Sequence, residues 1–453
     1  MRKLLTTIQN IWKIDDLRIK ILNTLFFLLI YRLGSHIVIP GVNPNELGAL
    51  GDQASGGILG LLDLFAGGAF SRASIFALGI MPYISASIIV QLLGVAIPKF
   101  QKMQREGESG RKKLNQFTRF LTVLVCLGQA PGYLVNLANQ SPGALVINTH
   151  EGLISTPFWW VTSVVLLISG CLFVMWLGER ITEKGIGNGI SLIIMIGIIA
   201  SLPFSLKDEL LSRLNQGGGP IAFLAEMLIW LIVIGACILL VQGVRRIPVQ
   251  FAKKIVGNKQ YGGARQFIPL KVNASGVMPL IFAQAIMFIP ATVAQFFPES
   301  DSWQGFAAQF TNFTSFGYNF VFFILIILFT YFYTAITVNP NQMADDMKKN
   351  GGFIPGVKPG RKTAEFIDDI MSKITLPGSI FLGIVAILPA FAMLAGVSAN
   401  FAQFYGGTSL LILVGVVLDT LQQIESHLLM RHYDGLMKGG GRLKGRAAVG
   451  AAI

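Results

Sequence analysis

Charge is scarce in this sequence. Asp, Glu, Lys and Arg together make up 13% of its 453 residues, against about 25% in soluble globular proteins. Long polar blocks are missing too, so no stretch is available for a separate soluble domain, and a single-pass receptor is excluded. The three cysteines, Cys126, Cys171 and Cys237, fall inside apolar runs. They form no disulfide scaffold and read as small buried apolar residues. His36, His150, His427 and His432 are scattered, with no metal-ligand spacing. There is no Walker A, HExxH or GxSxG pattern. Gly185-Ile186-Gly187-Asn188-Gly189 is glycine-rich, but a phosphate loop needs a strand before it. Here Lys184 precedes and an apolar run follows, so the segment reads as a hinge at a helix start. A cleavable leader is not expected: Asp15 and Asp16 fall within the first 20 residues, and no small-residue cleavage site follows the first apolar run. No enzyme activity, cofactor or metal is expected.

What is abundant is hydrophobic sequence, 53% of the chain. Ten apolar runs approach or exceed the roughly 20 residues that a helix needs to cross a bilayer. They fall at about 21–38, 73–95, 117–137, 157–177, 189–203, 221–242, 274–297, 317–338, 376–397 and 408–428. The fold class is therefore an all-α integral membrane protein of ten transmembrane helices. Residues 1–20 read as an interfacial helix, with Leu4, Leu5, Ile8, Ile11 and Trp12 on one side among basic residues. Residues 429–453 read as a tail.

The net charge of +13 would suggest nucleic acid in a soluble protein. Here its distribution follows the membrane instead, and no direct DNA binding is expected. Counted by connection, 32 of the 36 Lys and Arg residues lie on one side and three (Arg72, Lys207 and Arg213) on the other. Arg32, inside the first run, completes the set. The positive-inside rule places the basic side, with both termini, in the cytoplasm. Two basic loops there, 243–272 and 339–375, are long. The first alternates like a β-hairpin, through Arg245-Arg246-Ile247-Pro248-Val249, Lys253-Lys254 and Phe267-Ile268-Pro269-Leu270. The second carries Gly-Gly and Pro-Gly turn signals and a short amphipathic run, Thr363 to Ile374. Together they read as a docking surface for an acidic partner, against the alternative of ordinary topological charge that needs no partner.

On the opposite side, residues 58–69 are apolar but too short to span, and Gly56-Gly57 and Gly67-Gly68 bound them. They read equally as a re-entrant element lining a cavity or as a helix lying on the outer surface. Asp419 and Arg32 stand alone within apolar runs, and no second charge at matching depth makes a relay. The alternative of an inverted-repeat secondary transporter is disfavoured for that reason. A membrane enzyme is disfavoured for want of a nucleophile, metal or acid–base cluster.

Several motifs, in order along nearly the whole chain, resemble the SecY family, the channel subunit of the bacterial Sec translocon. They are Leu78-Gly79-Ile80-Met81-Pro82-Tyr83-Ile84-Ser85-Ala86-Ser87-Ile88, Glu106-Gly107-Glu108-Ser109-Gly110-Arg111-Lys112-Lys113 and Gly178-Glu179-Arg180-Ile181-Thr182-Glu183-Lys184. They continue with Pro269-Leu270-Lys271-Val272-Asn273-Ala274-Ser275-Gly276, Phe353-Ile354-Pro355-Gly356 and Gly406-Gly407-Thr408-Ser409-Leu410-Leu411-Ile412. The resemblance implies two inverted five-helix halves, 21–203 and 204–428, closing like a clamshell around an hourglass pore. It implies a protein-conducting channel in the bacterial inner membrane, carrying secretory preproteins across and releasing signal sequences and membrane helices sideways into the lipid bilayer. Segment 58–69 becomes a re-entrant plug, with Ile58, Leu61, Leu62, Leu64 and Phe65 as its apolar residues. Carried over, the pore ring is Ile84, Ile88, Ile194, Ile281 and Ile412. The lateral gate includes Gln91, Gln129, Asn273 and Ile289. Docking of the SecA ATPase, or of a ribosome with its nascent chain, falls to Arg245, Arg246, Lys253, Lys254, Lys358 and Arg361. SecE and SecG complete the implied complex. One departure is Lys358, where many relatives carry arginine.

Overall fold

The structure is a computed structural model and describes residues 12, 14–48, 57–145, 156–216, 219–251, 254–256, 259–261, 265–295 and 314–438. In chain order its helices are α1 (Asp15–Gly34), α2 (Gly57–Ala66), α3 (Met81–Ala96), α4 (Pro98–Arg105), α5 (Glu108–Gln140), α6 (Thr156–Lys184), α7 (Gly189–Gln216) and α8 (Gly219–Gln242). After strands β1 (Val244–Phe251), β2 (Lys254–Val256), β3 (Lys259–Tyr261) and β4 (Arg265–Lys271) come α9 (Met278–Gln295), α10 (Phe316–Thr337) and α11 (Pro340–Lys349). The short β5 (Gly352–Phe353), α12 (Arg361–Leu394), α13 (Ala399–Ala402) and α14 (Gly407–Lys438) follow.

Seven of the described helices are long and apolar enough to cross a membrane, or eight if α3 and α4 count as one bent span. The bend has a local cause. Pro98 opens α4, and the residue before a proline is driven out of the helical region; Ile97 is extended, at φ −113° and ψ 121°. The first and seventh expected spans correspond to α1 and α9, so a count of ten needs both to cross. α1 carries Arg18, Lys20 and Arg32, and the shorter apolar stretch of α9 is Met278–Met287.

Several boundaries differ from the sequence reading, four of them with consequences for the fold. The second span begins at Met81, not 73, because residues 67–80 form turns that pair with the segment after α1: Ile39 N–H donates to Ala73 O and Ile75 N–H to Ile37 O. The fifth helix runs through Pro203 to Gln216; a proline inside a membrane helix is tolerated where neighbours satisfy the freed carbonyl. The amphipathic run 363–374 is no separate loop element but the start of α12, continuous from Arg361 to Leu394. The last helix runs on to Lys438, into the expected tail. The interfacial helix expected over 1–20 lies mostly outside the described residues, and 15–20 form the first turns of α1.

The expected hairpin is present. β1 and β4 pair antiparallel from Val244 opposite Lys271 to Gln250 opposite Arg265, and β2–β3 continues toward the tip. Ile247 and Val249 are buried while Arg246 before them and Pro248 between them are exposed, as period-two alternation requires, and Arg245, nearer the strand start, is exposed as well. β5, from the other long loop, adds to β1 only at Gln250 and Phe251. Pro248, which has no N–H to donate, therefore sits where β1 has a neighbour on one side only. Ile247, Val249 and Leu270 pack with Met347, Ile354, Ile367 and Met371 in one apolar cluster. The two basic loops thus share a core and form one body.

Candidate pore and plug

The five isoleucines of the expected ring come from α3, α7, α9 and α14. All are buried, with exposures from 1% at Ile412 to 9% at Ile281. All belong to a single apolar cluster, which also contains Leu64 and Phe65 of the plug segment. Ile84 and Ile88, four residues apart, share one face of α3.

Polar cavities lie on both sides of this layer. One, of about 420 Å³, is lined by Ser191, Val277, Val416 and Asp419 among others. Three of these precede or follow a ring isoleucine by one helical turn, toward the basic face: Ser191 before Ile194, Val277 before Ile281, Val416 after Ile412. The other, of about 210 Å³, is lined by Arg32, Asp63, Leu64, Ala200, Ser201 and Asn400 among others. Ala200 and Ser201 lie about two turns beyond Ile194 in the opposite direction. A buried apolar layer therefore lies between two cavities with polar residues in their linings. Asp419, which stood unexplained in the sequence, faces the first of them and is exposed.

The short helix α2 covers Gly57–Ala66 and stops at two glycines with positive φ, Gly67 at +67° and Gly68 at +79°. Its C-terminal end is held by side chains from two directions. Arg32 Nη1 and Arg72 Nη2 both donate to the Gly67 carbonyl, at 2.7 and 2.6 Å. Tyr31 Oη donates to Ala66 O at 3.1 Å, and Ser71 N–H donates to Asp63 Oδ1 at 2.9 Å. Cationic donors at a helix C-terminus also match its dipole. Against this end lies Gly197 of α7, where an added Cβ would stand 2.8 Å from Phe65 O. The backbones touch because that side chain is absent. Leu64 and Phe65 are buried; the side chains of Ile58, Leu61 and Leu62 lie outside the described residues.

A buried ionic group was missed in the sequence. Arg213 Nε donates to Glu209 Oε1 at 3.0 Å, its Nη2 donates to Gly396 O at 2.8 Å, and it also pairs with Glu226. Glu209 Oε2 accepts from Ser398 N–H at 2.9 Å. The group ties α7 to α8 and to the turn after α12. The signal was available: Glu226 stands alone in the apolar run 221–242, and such a residue needs a partner.

Of the expected gate residues, Gln91 on α3 and Gln129 on α5 are half-buried, and Gln91 donates to Ser87 Oγ on its own helix at 3.2 Å. Asn273, before α9, is buried and accepts from Ser275 Oγ at 3.1 Å. Ile289 lies on α9, its side chain outside the described residues. Among the described residues, α3 packs on α5 and α9 on α10, but no extensive contact joins the two pairs. On the basic face Arg245, Arg246, Lys358 and Arg361 are all exposed. Lys254 stands on β2, and Lys253 falls outside the described residues.

The family model described as SecY matches residues 74–421. The chain belongs to the SecY family. Its relatives include the protein translocase subunit SecY of Streptomyces galbus, 43% identical over 443 residues that cover 96% of this chain and all of the relative. The subunit of the same name from Mycobacterium tuberculosis is 43% identical over 437 residues, covering 93% of this chain and 97% of the relative. Among solved structures, one of a protein conducting channel superposes with a TM-score of 0.61 at 19% identity, covering 94% of this chain and 95% of that one. Canine Sec61 in a ribosome-channel complex superposes with a TM-score of 0.57 at 18% identity, with the same coverage. Membership makes this chain a multi-span channel subunit of the translocon, and not an enzyme.

Proposed function

We propose that the chain works as the central pore of a Sec translocon, with Ile84, Ile88, Ile194, Ile281 and Ile412 as its constriction and α2 as its plug. The observation that carries this reading is the buried isoleucine layer between two polar cavities, with the plug packed into the same cluster. A narrow apolar ring stays poorly wetted and blocks ions. It can still widen around an extended chain, since it asks for no particular sequence. Residues 21–203 and 204–428 form two inverted halves of five spans each. They part at the seam between the α3–α5 and α9–α10 pairs, where contact is sparse, and an apolar segment leaves there into lipid. Gln91, Gln129, Asn273 and Ile289 line that seam. The plug and the 210 Å³ cavity face outward, and the basic loops and both termini face the cytoplasm of a bacterial inner membrane.

The chain holds no nucleotide motif, so the driving force is external. SecA docks on the joined cytoplasmic loops through Arg245, Arg246, Lys253, Lys254, Lys358 and Arg361, and a translating ribosome uses the same surface. SecE braces the two halves, and SecG lies at the periphery. Proteoliposomes holding the chain with SecE, SecA and ATP should render a secretory precursor protease-protected. If the precursor stays exposed while a small solute is carried instead, the reading is wrong.

A further inference from the structure

The cytoplasmic-side cavity has a chemistry that the channel reading does not use. Its lining consists of amides, hydroxyls and valines, such as Asn188, Ser191, Thr420 and Gln422, with one exception, the carboxylate of Asp419. Asp419 lies seven residues from Ile412 on α14, about 10 Å along the helix axis. It is exposed to the cavity, and among the described residues it has no ion-pair partner. Among the described lining residues, a protein of net charge +13 thus presents one carboxylate beside its isoleucine layer. A cavity with low-dielectric walls focuses the field of such a charge.

We propose that Asp419 is a specificity-determining residue of the vestibule, holding cationic segments of a passing chain on the cytoplasmic side of the isoleucine layer. The inference rests on the channel reading and on the proposed orientation. The occupant is a peptide stretch carrying Lys or Arg. Its charge meets an anion on one side of the layer and bare isoleucine on the next step. The same chain thus meets both a retaining charge and a barrier, and cationic flanks stay in the cytoplasm as the positive-inside pattern requires. The contact is made in water, so its effect is that of one unit-charge pair in a high dielectric, a roughly two- to fivefold bias that salt weakens.

The test uses inverted inner-membrane vesicles bearing the intact complex. The probe substrate has one apolar segment of fixed sequence, preceded by three Lys, three Gln or three Glu. Protease accessibility gives the fraction of chains whose flank remains on the cytoplasmic side, and the readout is the ratio of the Lys probe to the Gln probe. Asp419→Asn should lower that ratio about two- to fivefold, Asp419→Lys should lower it further, and Asp419→Glu should restore it. The difference between the first and last variants should shrink at high salt. A merely structural role would move both probes together and leave the ratio fixed, which overturns the proposal, as does an Asn variant that behaves as wild type. If the wild-type complex inserts neither probe, the channel reading fails as well. If it inserts both with no dependence on residue 419, only this inference falls.

Discussion

Arg32 shows how little a single residue reveals before its surroundings are known. In the sequence it is an isolated cation in an apolar run. In the fold its guanidinium donates to the carbonyl of Gly67, just past the end of α2, beside Arg72. A hydrogen bond from a charged donor contributes about 1.5–3 kcal/mol. Arg72 shares the Gly67 carbonyl, so the two losses are not additive. Arg32→Met should therefore raise resting ion leak modestly. Arg32→Met with Arg72→Met should raise it by about tenfold or more, measured as conductance across bilayers holding the idle complex. Equal leak in wild type and double variant would mean that the two guanidinium bonds do not hold α2 in place. The sequence could not show this contact, because 35 positions separate donor and acceptor and only the return of the chain at Gly67 joins them. The ring isoleucines were no more legible. Isoleucine is frequent in any apolar helix, and only the resemblance singled out these five. Their shared burial in one cluster is what the coordinates add.

At the scale of elements, hydropathy located the helices well and their ends poorly. Apolar runs report only the part of a helix that needs to avoid water. α5, α7, α12 and α14 all continue beyond that part into polar sequence. The hairpin was legible because a period-two pattern survives in a loop, whereas its partner β5 has two residues and no pattern to read. The segment of α2 was legible as a short apolar piece between glycines, equally re-entrant or on the surface without the family resemblance, and its seat was not legible at all. That seat depends on Gly197 in the middle of α7, a position where a glycine costs helix stability and where backbone contact with Phe65 and Gly67 gives the reason for it. Gly197→Leu should displace α2 from its seat. The expected result is a raised resting leak with α7 still spanning, checked by conductance together with unchanged assembly of the complex. Gly128, where an added Cβ meets nothing within 4 Å, is the control: Gly128→Ala should leave leak unchanged.

The whole molecule is apolar outside as well as inside. Only 6% of the most apolar stretch of α8 is buried, and α1 exposes Leu22, Leu25, Phe26 and Leu29. Such a surface needs lipid or partner helices around it. With the spans placed in lipid, the 32-to-three division of Lys and Arg predicts their direction. Cysteines placed at Lys102, Gln260 and Asn350 should react only with reagent that reaches the cytoplasm; labelling of any of them from outside intact cells would reverse the orientation. The same face carries the docking question raised by Lys358. Gly356 and Gly360 hold the surrounding turn at φ +85° and +100°, and Thr363 Oγ1 donates to the Lys358 carbonyl at 3.0 Å, which fixes the backbone while the side chain points free. Arg361 is also exposed, but its guanidinium is paired with Glu365, at 3.3 Å, and Lys362 pairs with the same carboxylate at 2.9 Å. A partner carboxylate would have to compete for Arg361, whereas no ion pair among the described residues engages Lys358. A lysine offers a compact charge without the planar fork of arginine, so a docking contact made through Lys358 would ask for charge and not for bidentate geometry. Lys358→Arg should then be silent, Lys358→Glu should block motor-driven export while membrane insertion and complex assembly persist, and Arg361→Ala should have the smaller effect. Export rates of one precursor across the three variants decide it. Loss of export in Arg361→Ala with Lys358→Glu tolerated would place the contact three residues further along the loop.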